Sequence, residues 1–292
     1  MSWLNDPRYK PIRDSVVGQM QRKSYRFRRS KRVAFVCGGF ESERRRGLIE
    51  LLLQDPQNLA FKAEDVWNAI AENTNLSALE IEAELAALAD IVIIIVESPG
   101  TFAELGAFSL SEPLRKKLLP ILDKLKRKGA SFIETGPVRW IDRTSKFQPS
   151  IWTDMNGFLL CGDEVQKRME RITQEDLITD DVGASPRHLL FFLCDVVSVV
   201  GPCPADHIEF FLTAILQKPV ADVHFLLALG VALGQLSRSA NGYYSRVLVN
   251  GLVTNFHHTS RFVDLGHLHA SVMSVMQKIP SANAALKELQ RP

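Results

Sequence analysis

The sequence predicts an α/β protein, a doubly wound parallel sheet followed by a mainly helical, winged-helix-like domain. Three observations predict it. "RVAFVCGG" (32–39) is a β-branched and aromatic run ending in two glycines, as a buried strand and a tight strand-to-helix turn require. "DIVIIIV" (90–96) is apolar without alternation, the pattern of a central parallel strand covered on both faces. Strand and helix patterns alternate up to about residue 145 and then give way to apolar helical segments, which places the sheet first and a helical unit second.

Residues 1–30 read as a basic, irregular N-terminal arm. Within it and just beyond, "QRKSYRFRRSKR" (21–32) holds seven basic residues, two aromatics and no acid. A solvated linker gives such a string. So does a segment in which Tyr25 and Phe27 stack on bases while Arg22, Arg26, Arg28 and Arg29 meet phosphates. After the first strand, "SERRRGLIELLLQ" predicts a helix, "LAFK" a second strand, "AEDVWNAIAE" and "LSALEIEAELAALA" two more helices, and "DIVIIIV" the central strand. A helix begun at "TFAELGAFS", the strand "KLLPILD" and "ASFIETGPVRWI" close this unit over 31–148. Residues 149–292 form the second unit. It has a polar connection, "TQEDLITDDVGASP", then three apolar helices and "ANGYYSRVLVNGLV", a hairpin with an Asn-Gly turn. Three helices before a small hairpin is the winged-helix order, although residues 223–236 are too apolar for a helix that reads a DNA groove.

Composition narrows the function classes. At 292 residues with 46% hydrophobic content, each unit can bury a core. A formal charge of +2 gives no global attraction to nucleic acid or membrane. Cys37, Cys161, Cys194 and Cys203 lie far apart without a CxxC pair, and read as reduced core thiols. Early charges and a proline at the N-terminus, with no long apolar run, predict neither a signal peptide nor a membrane span, hence a cytoplasmic protein. His257, His258, His267 and His269 lack companion ligands at a metal-binding spacing, apart from Asp264, so no metal site is expected. Arg44, Arg45 and Arg46 read as a solvated helical face or as a phosphate contact beside the glycine turn.

The segment "ESPGTFAELGAF" (97–108) carries the chemistry. A parallel sheet places ligands at the carboxyl ends of its strands, where Gly38, Gly39, Glu97 and Ser98 fall. Gly100 permits close approach at the turn, Thr101 begins a helix, and Glu104 lies one turn inside it. Thr101-x-x-Glu104 is also a capping box, in which the glutamate only satisfies a helical amide, and the spacing alone favours that reading. Gly38 and Gly39 either let a ligand approach the backbone or only make a tight turn. Glu64 and Asp65 read first as a helix start and second as part of a site.

Together with "LEIEAELAALADIVIIIV" before it and "LRKKLLPILD" and "SFIETGPVRWI" after it, this segment resembles the nucleoside 2-deoxyribosyltransferase superfamily. It is more closely similar to the deoxyribosyltransferase-like toxin effectors encoded beside retron reverse transcriptases. The resemblance is detailed over about residues 32–145 and looser beyond. It implies that Glu104, in a G-[ST]-x-x-E-[LI]-G pattern, is the nucleophile, and that Glu82 and, approximately, Glu97 contact substrate. "ESPG" is shorter than the aspartate-containing loop of the classical enzymes, which speaks against base exchange on free deoxynucleosides. The resemblance further implies N-glycosidase activity on nucleotides, NAD in particular, as an antiphage toxin. The reverse transcriptase and its branched RNA–DNA product would hold it in check, within an oligomer or a larger ribonucleoprotein assembly and away from any membrane. NAD is then the substrate, and no cofactor is expected. The alternatives are a nucleoside or nucleotide deoxyribosyltransferase or hydrolase, a non-catalytic nucleotide sensor on the same sheet, and a transcription regulator acting through the C-terminal domain.

The residue types suit that chemistry. Breaking an N-glycosidic bond develops oxocarbenium character, which a carboxylate stabilises or captures. A first-turn position would favour an ionised Glu104 through the positive helix end. Nicotinamide is cationic before cleavage and leaves neutral, whereas a purine needs a proton, and the matched motif has no histidine to give one.

Overall fold

A computed structural model of the protein describes residues 3–21, 27–28, 31–70, 78–173, 178–179, 181–247 and 264–289. The chain forms two compact units, one of Lys31–Leu177 and one of Met1–Ser30 with Ile178–Pro292.

In the first unit, β2 (Arg32–Cys37), β3 (Asn58–Phe61), β4 (Ile91–Ile95), β5 (Leu118–Asp123) and β6 (Ile151–Thr153) form one parallel sheet in the order β3-β2-β4-β5-β6. Its helices are α2 (Glu43–Leu53), α3 (Ala63–Ile70), α4 (Ala78–Leu88), α5 (Pro99–Leu110), the short α6 (Glu112–Arg115), α7 (Arg139–Thr144) and α8 (Gly162–Met169). Every residue of β4 is buried, which explains its unbroken apolar sequence. Alternate residues Ala34, Val36, Ile91, Ile93 and Ile95 share one core with Leu48 and Leu52 of α2 and Val165 and Met169 of α8. Cys37 and Ile94 are register partners of the opposite parity, so they point to the other face. Burying each of the valine, leucine, isoleucine and methionine side chains among these contributes about 1.5–3 kcal/mol. Asp90 ties the two inner strands at their start, its Oδ2 accepting from the Val33 amide at 2.9 Å. The strand order reverses between β2 and β4, so their carboxyl ends open the crevice where a parallel sheet takes its ligand.

The sheet unit runs past the expected residue 148. Three-residue β6, preceded by Pro149 and Ser150, pairs with β5 from Ile121↔Ile151 to Asp123↔Thr153. A strand that short carries too little periodicity to be read beforehand. "ASFIETGPVRWI" contains a π-helical turn, Glu134–Val138, leading into α7.

In the second unit, α1 (Lys10–Met20) replaces the irregular arm expected over much of 1–30, because Val16 and Met20, one turn apart, are buried. Beyond it β1 (Phe27–Arg28) pairs antiparallel with β7 (Ile178–Thr179). Nearly all of α9 (Pro186–Val200) is buried, and it packs against α10 (Ala205–Leu216), α11 (Val223–Ala232) and α12 (Leu265–Met276). Strands β8 (Leu236–Arg238) and β9 (Tyr244–Arg246) form a hairpin after α11, with Gly242 of the Asn-Gly turn at φ +77°. Helix α13 (Pro280–Leu289) ends the described chain. The sequence order of three helices and a hairpin is present, and α11 buries Val223, Leu226, Leu227 and Leu229, as its apolar sequence anticipates. Among the described residues no helix is long and apolar enough to cross a membrane. All four cysteines are free and buried.

Candidate active site

The site begins where β4 runs into α5. Ser98 is the N-cap of α5, its Oγ accepting from the Thr101 amide at 3.4 Å. Thr101 Oγ1 in return accepts from the amides of Ser98 and Glu97, both at 3.0 Å. This reciprocal cap uses Ser98 and Thr101 and leaves Glu104 out. Glu104 therefore sits in the second turn, beyond the reach of most of the helix-end charge. Its Oε2 is buried without a hydrogen-bond partner. An unsatisfied buried acceptor costs roughly 1–3 kcal/mol and calls for an explanation.

Glu104 is faced by Cys37 from β2, Arg45 from α2, Glu64 from α3 and Glu82 from α4. Burial pushes its carboxyl up to about 7, and the Glu82 charge and, more weakly, Glu64 add to this; a hydrogen bond from the Cys37 thiol and the charge of Arg45 oppose them. Burial and Glu64 also raise Glu82, against Arg45. The Cys37 thiol is raised well above its ordinary value by burial, then by Glu104 and Glu82, so it stays protonated and donates. The expectation that the helix end favours an ionised Glu104 is thereby corrected: burial and the Glu82 charge leave Glu104 poised between its two forms.

Arg45, read from the sequence as a solvated residue or a phosphate contact, is instead the buried cation of this cluster. Its guanidinium donates to both oxygens of Glu64, at 3.1 and 2.7 Å, and to the Gly38 carbonyl at 3.4 Å. A Cβ on Gly38 would lie 3.0 Å from Arg45 Cβ and Cδ, so the first glycine of the turn makes room for the arginine stem. The signal was in the sequence, as the middle of three arginines beside a double glycine. Its alternation with Arg44 and Arg46 hid which one turned inward.

Glu97 is held apart from this group. Its Oε1 accepts from the Gly39 amide at 3.0 Å and its Oε2 from Arg44 at 2.7 Å, while Arg44 Nε donates to the Met155 carbonyl at 2.9 Å. Burial alone would raise the Glu97 carboxyl, but the Ser42 hydroxyl, Arg44 and the Gly39 amide together hold it below the usual range. These residues line a cavity of about 840 Å³ with Phe40, Ser98 and the Met155–Leu160 segment; Glu104 and Glu82 are not in its wall. Gly100 has open space where a Cβ would sit, with only Ser98 Oγ within 4 Å.

Of the expected phosphate contacts at the glycine turn, Arg44, Arg45 and Arg46 are paired with Glu97, Glu64 and Glu43 respectively. In the N-terminal arm, Arg22, Arg26 and Arg29 lie outside the described residues, and Arg28 falls in β1. His257 and His258 also lie outside them, and no His, Cys, Asp and Glu group able to hold a metal occurs among those described.

The chain matches the family described as STM3845 retron effector protein over residues 42–238, about two thirds of its length. It is 37% identical over 129 residues to a retron Ec86 protein of Escherichia coli, covering 42% of each chain. It is 38% identical over 125 residues to a retron Ec73 protein of the same organism, covering 40% of each. Both relatives carry a provisional name, ribosyltransferase/DNA-binding protein. The matched stretch spans less than half the length of either relative.

Proposed function

The chain belongs to the STM3845 retron effector family, and from that premise we propose that it is an N-glycosidase that cleaves NAD at the nicotinamide–ribose bond. The observation that carries this reading is the buried, unpartnered Oε2 of Glu104 in a group of three carboxylates and one guanidinium. Such a site has more carboxylates than cations, and a cationic ligand redresses the balance. Nicotinamide attached to ribose is such a ligand, and its charge draws Glu104 into the ionised form. The carboxylate then captures C1′ as the C1′–N1 bond breaks, with the bonding pair leaving on N1 as neutral nicotinamide. Water hydrolyses the glycosyl ester, its hydroxyl going to C1′ and its proton to the carboxylate pair, to give ADP-ribose. Glu82 holds ribose hydroxyls, and the Gly39 turn with Ser98 and Thr101 frames the sugar.

In this reading the protein is a cytoplasmic antiphage toxin. The retron reverse transcriptase and its RNA–DNA product restrain it inside a ribonucleoprotein assembly, which it meets through the basic segment around Arg22, Arg26, Arg28 and Arg29 and through the winged-helix-like C-terminal domain. The relatives' names support a nucleic-acid contact of this kind.

A second reading is favoured by one feature. A carboxyl poised at about 7 also offers a proton near neutrality, which a departing purine requires, so a nucleoside or nucleotide deoxyribosyltransferase or hydrolase is the alternative. Incubating purified protein, freed of its inhibitor, with NAD and separately with deoxynucleosides and nucleoside monophosphates decides between them. Nicotinamide release is expected. Free base from the neutral substrates and none from NAD reverses the assignment, and bound ligand without turnover of any substrate makes the protein a sensor.

A further inference from the structure

The cavity at the carboxyl ends of β2 and β4 and the carboxylate that attacks are separate places. The cavity holds about 840 Å³, within the range of pockets that enclose small molecules. Gly39, Glu97 and Ser98 contribute to its wall, together with the segment that follows β6, whereas Glu104 does not. Glu104 comes six residues after Ser98, the N-cap of α5, which is about 9 Å along the helix axis at 1.5 Å per residue. A nucleoside carries its glycosidic bond on the base itself, so it cannot keep the base in the cavity and present that bond to Glu104. A ligand that reaches both places has two separated parts.

The lining indicates what the second part is. Phe40, Leu159 and Leu160 surround the cavity and are 83%, 52% and 86% exposed. Large apolar side chains left open around a hollow favour a flat group such as a nucleobase, whose faces pack on aromatic and aliphatic surface alike. Arg44 lines the same cavity. Its Nε donates to the Met155 carbonyl and its Nη1 to Glu97, so the guanidinium is held in place. Among the described residues no acceptor meets its Nη2. Glu97 has both oxygens engaged, by the Gly39 amide and by Arg44. A fixed arginine with one free donor arm matches a phosphate oxygen.

We propose that this cavity is the subsite for the far half of a dinucleotide: the base lies against Phe40 and Leu160, the pyrophosphate meets Arg44 Nη2, and the second ribose extends past Ser98 to Glu104. The identity of the near half rests on the glycosidase reading, whereas the cavity's own ligand, a base joined through ribose to a pyrophosphate, does not. A nucleoside or a nucleoside monophosphate fills one of the two places and leaves the other empty, so the arrangement selects dinucleotides.

The test uses ADP, which has no nicotinamide to lose. Isothermal titration of the full-length protein, freed of its inhibitor, is expected to show ADP bound more tightly than adenosine. Phe40→Ala should weaken both by about tenfold, as loss of a ring stacked on a base does, and the exposure of Phe40 keeps folding out of the comparison. Arg44→Met should weaken ADP and bring it level with adenosine. With NAD as substrate, Phe40→Ala should raise KM by a similar factor and leave kcat nearly unchanged, because the ring acts far from the bond that breaks. Cleavage of nicotinamide mononucleotide, which lacks the far half, should be indifferent to it. ADP that fails to bind, that binds wild type and Phe40→Ala equally, or that keeps its advantage over adenosine in Arg44→Met overturns the subsite, even where NAD is cleaved. ADP binding that responds to both substitutions, in a protein that releases no nicotinamide, defeats the glycosidase reading and leaves the subsite standing.

Discussion

Arg44 donates from Nη1 to Oε2 of Glu97 across 2.7 Å, so the carboxylate at the mouth of the central strand is engaged by the protein's own arginine. With the Gly39 amide on its other oxygen, Glu97 joins the glycine turn, the start of α2 and, through Arg44, the Met155 carbonyl. Glu97→Gln should therefore cost stability, by roughly 1–2 kcal/mol since Arg44 is partly hydrated. It should reduce turnover far less than a change at Glu104. The Glu97 carboxyl is held below its ordinary value of 4.5. The stability it contributes is present above that value and is lost as pH falls through the lower folded one. Thermal melts of wild type and variant should accordingly converge in acid. A gap that widens as pH drops would contradict the pairing.

Glu104→Gln should lower glycosidic cleavage by roughly a thousand-fold or more, as loss of a nucleophile does. It should also stabilise the protein above neutrality. The folded carboxyl titrates at about 7 against an ordinary 4.5, so the native state holds a proton that the unfolded chain has released, and wild-type stability declines as pH rises through that window. The amide is indifferent to pH. Its advantage should open between 4.5 and 7 and level off above, reaching roughly 1–2 kcal/mol after allowing for solvent screening. Melting curves across that range check the sign. An advantage that shrinks as pH rises would sink this account of Glu104.

Several of these relationships were legible in the sequence, and several were not, for local reasons. "IVIIIV" announced a strand covered on both faces, and β4 is buried throughout. Glu104 stood out from "GTFAELG", but spacing alone favoured a capping role, and whether it has one could not be read from that stretch. That depended on Ser98, three residues before Thr101, taking the cap first. Two glycines announced a turn without telling that Gly38 yields to Arg45 while the Gly39 amide binds Glu97. Side chains that meet from four different elements, as at Glu104, leave no periodic trace in any one of them.

Gly38→Ala should damage the fold more than Gly39→Ala. At Gly38 the new methyl would lie 3.0 Å from two carbons of an arginine stem that cannot swing away without breaking its bonds to Glu64. At Gly39 the nearest atom is Glu97 Oε1 at 3.4 Å, an ordinary contact. Overpacking of the first kind costs about 1–3 kcal/mol. Equal melting temperatures for the two variants would show that Arg45 relocates freely.

Neutralising Arg22, Arg26, Arg28 and Arg29 together should weaken binding to the retron ribonucleoprotein and flatten its salt dependence, by up to about 3–4 in the slope of log affinity against log salt. Affinity measured at several salt concentrations reads both effects. Unchanged affinity with an unchanged slope would remove the basic segment from the interface and leave the C-terminal domain or direct protein contacts to account for binding.

Cys37 gives the last prediction, because its thiol is a donor and never a nucleophile. It is buried, and its ionisation is pushed far up by that burial and by the carboxylates it faces. Alkylating reagents should therefore leave the native protein active, since they need an accessible thiolate. Its hydrogen bond to Glu104 favours the ionised carboxylate. A hydroxyl in the same place donates more strongly than a thiol and fills less space. Cys37→Ser should then lower the Glu104 midpoint below about 7 and carry the acid limb of turnover down with it, while Cys37→Ala, which donates nothing, should raise both. The ordering of limbs, serine below cysteine below alanine, is the measurement. Any other order would mean that the thiol only fills space beside Ile94, and that burial and neighbouring charge alone set the proton on Glu104.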